Sequence, residues 1–145
     1  MATTRAWTVL VASGLLSGCG GNGPDTIAER VYQGLPDGVT PATLHGNESS
    51  IAIIEHDHRL ALTLWGSGSC PRLPVSLHAL NRHSIEITVD KKTSGVCTAD
   101  LGPTTSVIKL DPEEIDTASE VAITLHDSWD PNLPATEITA RPRQP

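Results

Sequence analysis

The chain has 145 residues and a formal net charge of −7 at pH 7, with 10 basic against 17 acidic residues. That balance argues against a nucleic-acid partner and against electrostatic adhesion to anionic lipid. There is no phenylalanine and aromatic residues make up only 3 % of the chain, so a core must come from Ile, Leu and Val, and stacking platforms for sugars or bases are scarce.

Residues 1–18 read as a secretion leader. Arg5 gives a positive start, Trp7 to Leu16 form an apolar stretch of h-region length, and Ser17 and Gly18 are small enough for a peptidase cleft. The stretch falls short of the ~20 apolar residues that a membrane span requires. Leu16-Ser17-Gly18-Cys19 resembles the lipobox of bacterial lipoproteins. That resemblance implies diacylglyceryl transfer to the Cys19 thiol, cleavage before it, and acylation of the new amino terminus. The expected location is then the extracytoplasmic face of the cell membrane, with attachment through the lipid anchor. Two or three acyl chains hold firmly, at roughly 0.8 kcal/mol per buried methylene, so the polypeptide needs no basic surface of its own. An ordinary signal peptide with an unmodified Cys19 is the alternative.

Cys19 and residues 20–49 read as a lipidated cysteine followed by a flexible tether, Gly-Gly-Asn-Gly-Pro-Asp-Thr at its start. Within it, residues 27–33 suit a short helical turn, which Gly34, Pro36, Gly38 and Pro41 keep from extending. Residues 34–49 are irregular, packed on the domain surface or free.

From residue 50 to 145 the pattern becomes short β-branched runs between turn residues, as in an all-β domain. Ile51–Glu55 leads into a polar turn at His56-Asp57-His58, and Arg59–Trp65 places Leu60, Leu62 and Leu64 on one face. Val75, Leu77 and Ala79 share a face ahead of a turn at Asn81-Arg82-His83. Ile85, Ile87 and Val89 alternate with Glu86, Thr88 and Asp90, the mark of a half-buried strand. Thr104–Leu110 and Val121–Leu125 follow, and Thr136–Ala140, flanked by prolines, reads as a last edge strand. Six or seven strands at hairpin spacing predict a small antiparallel two-layer β-sandwich, with a partly open barrel as the alternative.

With Cys19 lipidated, Cys70 and Cys97 remain as a pair in an oxidising compartment. No CxxC spacing favours a metal or reactive-thiol role. A disulfide here closes a loop of about 28 residues, worth roughly 3.5 kcal/mol in the chain-entropy model, and clamps the ends of the 75–90 hairpin.

The blocks around those cysteines carry a second resemblance. Trp65-Gly-Ser-Gly-Ser-Cys70-Pro71, then Cys97-Thr-Ala-Asp100-Leu and Pro103-Thr-Thr-Ser-Val107, resemble a group of small actinobacterial envelope lipoproteins with paired GSxSCP and CTADxxPTT segments. Gly68 stands where serine is usual in that pattern. The resemblance implies secretion, the disulfide and a β fold, and brings no activity with it.

Three constellations could carry chemistry. A disulfide would gather Ser67, Ser69, Thr98, Asp100, Thr104 and Thr105 into one neighbourhood, either as a polar binding patch or as ST- and Asx-turn residues satisfying local backbone. His56 and His58, at i and i+2 on a turn beside Glu55, are the candidate ligands for Cu or Zn, with His45, His78, His83 and His126 as unplaced completions. The alternative there is a solvated hairpin tip. The acidic run from Asp111 to Asp116 lacks EF-hand spacing and reads as a solvated loop, and Trp129 either closes one end of the fold or faces a ligand. Gly66-Ser67-Gly68-Ser69 lacks the G-x-S-x-G order of a hydrolase elbow. The expectation is a non-enzymatic binding or accessory module with an envelope protein as its partner. Metal handling is the second hypothesis, and nothing in the sequence fixes an oligomeric state.

Overall fold

A computed structural model describes residues 26–40, 50–91 and 96–144. The expected leader, the lipidated Cys19, the first part of the tether and His45 lie outside the described residues. Eight strands are present among them: β1 (Arg30–Gln33), β2 (Ser50–Glu55), β3 (Arg59–Gly66), β4 (Arg72–Asn81), β5 (Ser84–Lys91), β6 (Gly102–Lys109), β7 (Val121–Asp127) and β8 (Thr136–Pro142). They form one sheet in the order β1-β6-β3-β2-β8-β7-β5-β4, curled into a half-barrel. The described residues contain no helix.

The all-β class with one disulfide is the fold that the sequence pattern predicts. Its layering follows the partly open barrel. β8 joins the two halves, pairing with β7 along Thr136–Leu125 to Ala140–Val121 and then with β2 at Arg141 and Pro142. The sheet is mixed rather than antiparallel throughout, since β5 runs parallel to β7 and β8 runs parallel to β2.

Alternation builds the core. Leu60, Leu62 and Leu64 of β3, Ile85, Ile87 and Val89 of β5, and Val121, Ile123 and Leu125 of β7 are all buried in one cluster with Ile54, Ile108 and Ala140. Each such side chain contributes about 1.5–3 kcal/mol relative to exposure, which is how an aliphatic core compensates for the missing aromatics. β3 is buried on both faces, because Ala61 and Thr63 on its outer side are also inaccessible. The segment after β1 supplies part of that cover, as Thr105 Oγ1 donates to the Gly34 carbonyl at 2.7 Å.

Three expectations are corrected. Residues 27–33 contain no helical turn; Arg30–Gln33 is a strand, paired with Thr104–Val107 of β6. The sheet therefore begins at Arg30, inside the stretch assigned to the tether, and not at residue 50. β8 is an interior strand rather than an edge. Its prolines do not prevent this, because Pro142 is the terminal pairing residue and Arg143 N supplies the next bond, to Ile54 O at 2.9 Å.

The true edges are β1 and β4, and the segment before β1 fastens them to each other. Ile27 N and Thr26 Oγ1 both donate to Pro74 O of β4, at 3.0 and 2.8 Å, and Glu29 N donates to Val107 O of β6 at 2.8 Å. Pro74 fits this edge position: its carbonyl and its hydrogen-free nitrogen face away from β5, so no ladder donor is lost. Residues 26–29 thus strap the open side of the half-barrel.

Candidate functional site

The strand registers sort the connections to two ends of the barrel. Gly66 pairs with Gly102 and Arg72 with Lys91, and Asp127 lies opposite Val89, so the 67–71, 96–101 and 128–135 connections share one end. The 56–58, 82–83 and 110–120 connections share the other. The two candidate sites are therefore at opposite ends of the molecule.

The disulfide organises the first end. Cys70 and Cys97 are bonded with Cα atoms 5.3 Å apart, just before β4 and after β5, and Cys70 is buried. Around it Ser67 Oγ lies 3.2 Å from Ser69 Oγ and 3.1 Å from Thr98 Oγ1, and Ser69 Oγ lies 2.9 Å from Thr98 Oγ1. Thr98 N donates to Ser69 Oγ at 2.8 Å. Asp100 completes the cluster, accepting from Thr98 Oγ1 and from Gly68 N, the latter at 3.3 Å. Gln33 Nε2 reaches in from β1 to Gly68 O at 3.4 Å.

These bonds fix the electrostatics of Asp100. The Thr98 hydroxyl, more than any other group, holds its carboxyl below the usual carboxylate range; desolvation opposes it as the next largest effect, and Gly68 N–H and Ser67 add smaller lowering contributions. A carboxylate so stabilised is a weak base. It accepts hydrogen bonds well, as it does here from Thr98 Oγ1 and Gly68 N.

Four of the six predicted patch residues are brought together and two are not. Thr104 and Thr105 already belong to β6 and are buried there. Thr105 Oγ1 sits 2.8 Å from Thr63 Oγ1; since Thr105 spends its proton on Gly34 O, Thr63 is the donor of that pair. They hold the covering segment to the sheet and are removed from any surface patch.

At the far end, His56 and His58 are exposed on the β2–β3 turn. Asp57 and His58 both have left-handed φ, 60° and 58°, so the i, i+2 rule of a strand does not carry across the turn. His58 Nδ1 lies 2.6 Å from Thr117 Oγ1. Glu55, the neighbouring carboxylate, faces Arg143 Nη2 at 3.5 Å along an open groove of about 550 Å³. His78, His83 and His126 are exposed elsewhere, and His126 lies 3.8 Å from Glu86. Among the described residues no three His, Cys, Asp or Glu side chains converge as a metal site.

The acidic run is a set of turns. Asp111 Oδ1 accepts from Glu113 N at 2.9 Å, while Asp116 accepts from Ala118 N at 3.1 Å and from Ser119 Oγ at 3.0 Å. The backbone N–H of Ala118 first, then Ser119, hold the Asp116 carboxyl below its ordinary range.

Arg72 is the residue that sequence reasoning missed. Its guanidinium lies 5.3 Å from the Trp129 ring centroid, and its Nη2 is 2.6 Å from Asp127 Oδ1. Trp129 therefore stays at the rim of the disulfide end, 41 % exposed, instead of plugging it. A single arginine after Cys-Pro carries no sequence signal for such a role. Compared with protein-family models, curated proteins and solved structures, the chain matches none.

Proposed function

We propose that the protein is a lipid-anchored extracytoplasmic lipoprotein whose half-barrel is a non-enzymatic binding or accessory module. The observation that carries this reading is the cysteine pattern. Cys70 and Cys97 pair with each other, which leaves Cys19, at the end of an apolar leader with Ser17 and Gly18 before it, as the remaining thiol. A disulfide between two loops suits an oxidising compartment.

The binding function is supported by the disulfide end, where the hydroxyls of Ser67, Ser69 and Thr98 and the carboxylate of Asp100 form one exposed polar cluster. The test of the anchor is metabolic labelling with palmitate followed by fractionation. Label on Cys19, and loss of both label and membrane association in Cys19→Ser, is the expected result; unchanged fractionation of Cys19→Ser overturns it. Crosslinking on intact cells with the tagged protein then tests for an envelope protein partner.

A further inference from the structure

Four large apolar side chains at the disulfide end face solvent: Val96 is 91 % exposed, Leu101 77 %, Leu133 47 % and Trp129 41 %. Two of the three connections at that end carry them. Val96 and Leu101 bracket the loop through Cys97, and Trp129 and Leu133 lie on the β7–β8 connection. The elements are tied together at short range, since Cys97 is bonded to Cys70 and Arg72, two residues on, meets Trp129. Among the described residues the other exposed large apolar side chains are Ile27 and Val31, before and in β1, and Leu80 near the far end of β4. Four exposed large apolar side chains on the connections of one end of a chain this polar and acidic mark that end as a contact surface.

The path of the chain says what meets it. Thr26 is fixed to Pro74, two residues along β4 from Arg72 and so toward the disulfide end of that strand. Thr26 is seven positions after Cys19, a reach of at most ~25 Å when fully extended. An acyl group on Cys19 therefore holds Thr26, and with it the disulfide end of β4, within that reach of the bilayer surface. Tethering raises the effective concentration so far that weak insertion is enough to set orientation. Tryptophan with leucine and valine beside it is the composition that partitions at the headgroup boundary. Asp100 and Asp130, on the same two connections as the apolar side chains, add negative charge beside the rim, so a zwitterionic surface suits it better than an anionic one.

From these relationships we infer that the Val96–Leu101–Trp129–Leu133 rim docks on the surface of a zwitterionic bilayer, setting the barrel on the membrane with its disulfide end down. The opposite end, with the His56 turn and its charged groove, then faces away from the membrane. The inference rests on the lipid-anchor reading for its biological setting, but its physical content can be tested separately.

Every strand of the described residues lies within Arg30–Pro142, so the chain from Cys19 onward carries the whole sheet. Its Cys19 thiol can be coupled chemically to a maleimide headgroup in phosphatidylcholine vesicles, whether or not cells acylate it. The emission of Trp129 is read as the difference from a Trp129→Phe variant. It is expected to shift to the blue on coupling and to be lost when brominated phosphatidylcholine is included. Val96→Ser/Leu101→Ser is expected to abolish both effects with the thermal midpoint unchanged, because both side chains are exposed. Adding phosphatidylglycerol is expected to weaken the quenching. Emission that ignores coupling, or quenching that survives the double variant, overturns the docking inference. Palmitate labelling of Cys19 in cells bears on the anchor alone.

Discussion

Arg72 and Asp127 join the first residue of β4 to the last residue of β7 across the intervening β5, with Nη2 and Oδ1 2.6 Å apart. Both side chains are largely shielded, and Arg72 Nε is buried with no hydrogen-bond partner, so the guanidinium is held by its ion pair and by the Trp129 face. Arg72→Met strands a shielded carboxylate and is expected to destabilise the fold by about 2 kcal/mol, below the cost of breaking a fully buried pair. Arg72→Lys, which keeps the charge and loses the planar stack, is expected to fall between. Urea denaturation of the three proteins checks the ranking. Equal stability of Arg72→Met and the parent would remove this pair from the account of how β4, β5 and β7 hold together.

The disulfide should matter to the whole sheet as well as to its loops. Cys70→Ser/Cys97→Ser is expected to cost roughly 3.5 kcal/mol, since the bridge spans 27 positions and restricts the unfolded chain accordingly. Thermal melts of the parent with and without reductant should reproduce the loss seen in the double variant. A melting point indifferent to reductant would show that the bridge contributes little.

The strands that sequence alone defines are those with strict alternation. Ile85, Ile87 and Val89 are fully buried because a period of two has one solution when a single face meets the core. β1 is illegible for the opposite reason: Arg-Val-Tyr-Gln is four residues long, mostly exposed, and is made a strand by β6 rather than by its own composition. β8 reads as an edge because its flanking prolines look like edge markers, yet the one inside the strand is its last residue and needs no donor. At the candidate site, the cysteine spacing brings Ser67, Ser69, Thr98 and Asp100 together. It cannot separate them from Thr104 and Thr105, because the pattern that marks Thr104–Leu110 as a strand does not show that Thr63 and the segment at Gly34 cover its hydroxyls.

Stability should depend on pH at the acidic end through Asp100 and Asp116. Both carboxyls are held below their ordinary value of 3.8, by Thr98 in the first case and by the Ala118 N–H in the second. A group whose folded pKa is depressed stabilises fully above its unfolded value, and that contribution is lost as pH falls through the folded value. The loss therefore sets in below about pH 4, and both contributions are intact at neutral pH. Thr98→Val is expected to bring the Asp100 titration back toward 3.8, read from its carboxyl carbon shift, while leaving Asp116 where it was. A Thr98→Val protein with an unmoved Asp100 would contradict the assigned cause.

Gly68 permits a close approach by the Asp100 carboxylate. A Cβ at this position would stand 2.6 Å from Asp100 Oδ2, so Gly68→Ala must displace the carboxylate from both Gly68 N–H and Thr98. The expected result is a measurable loss of stability together with an upward move of the Asp100 pKa. In an Asp100→Ala background the same Gly68→Ala substitution should cost much less, because the oxygen it collides with is gone. Additive effects in that cycle would show that the glycine is needed for some other reason.

The strap across the open side predicts how the barrel comes apart. Thr26 Oγ1 donates to Pro74 O and accepts from Ala28 N at 3.2 Å, while Ile27 N shares the same carbonyl, so two bonds hold residues 26–27 against the β4 edge and a third braces the strap itself. Ala28 also packs on the core. Thr26→Ala removes two of those bonds but leaves Ile27 N on Pro74 O, and is expected to cost about 1 kcal/mol. Starting the chain at Arg30 removes the strap entirely, and with it the link between the two edges of the sheet. Its effect should be local before it is global. In hydrogen exchange, amides of β1 and of its partner edge on β6 should lose protection first, while Ile85, Ile87 and Val89, fully buried in the core, keep theirs until the whole fold opens. If truncation lowers protection evenly across all eight strands, the strap is an integral part of one cooperative unit. If it changes nothing, the half-barrel holds its curl without closure, and the bonds to Pro74 are incidental to its stability.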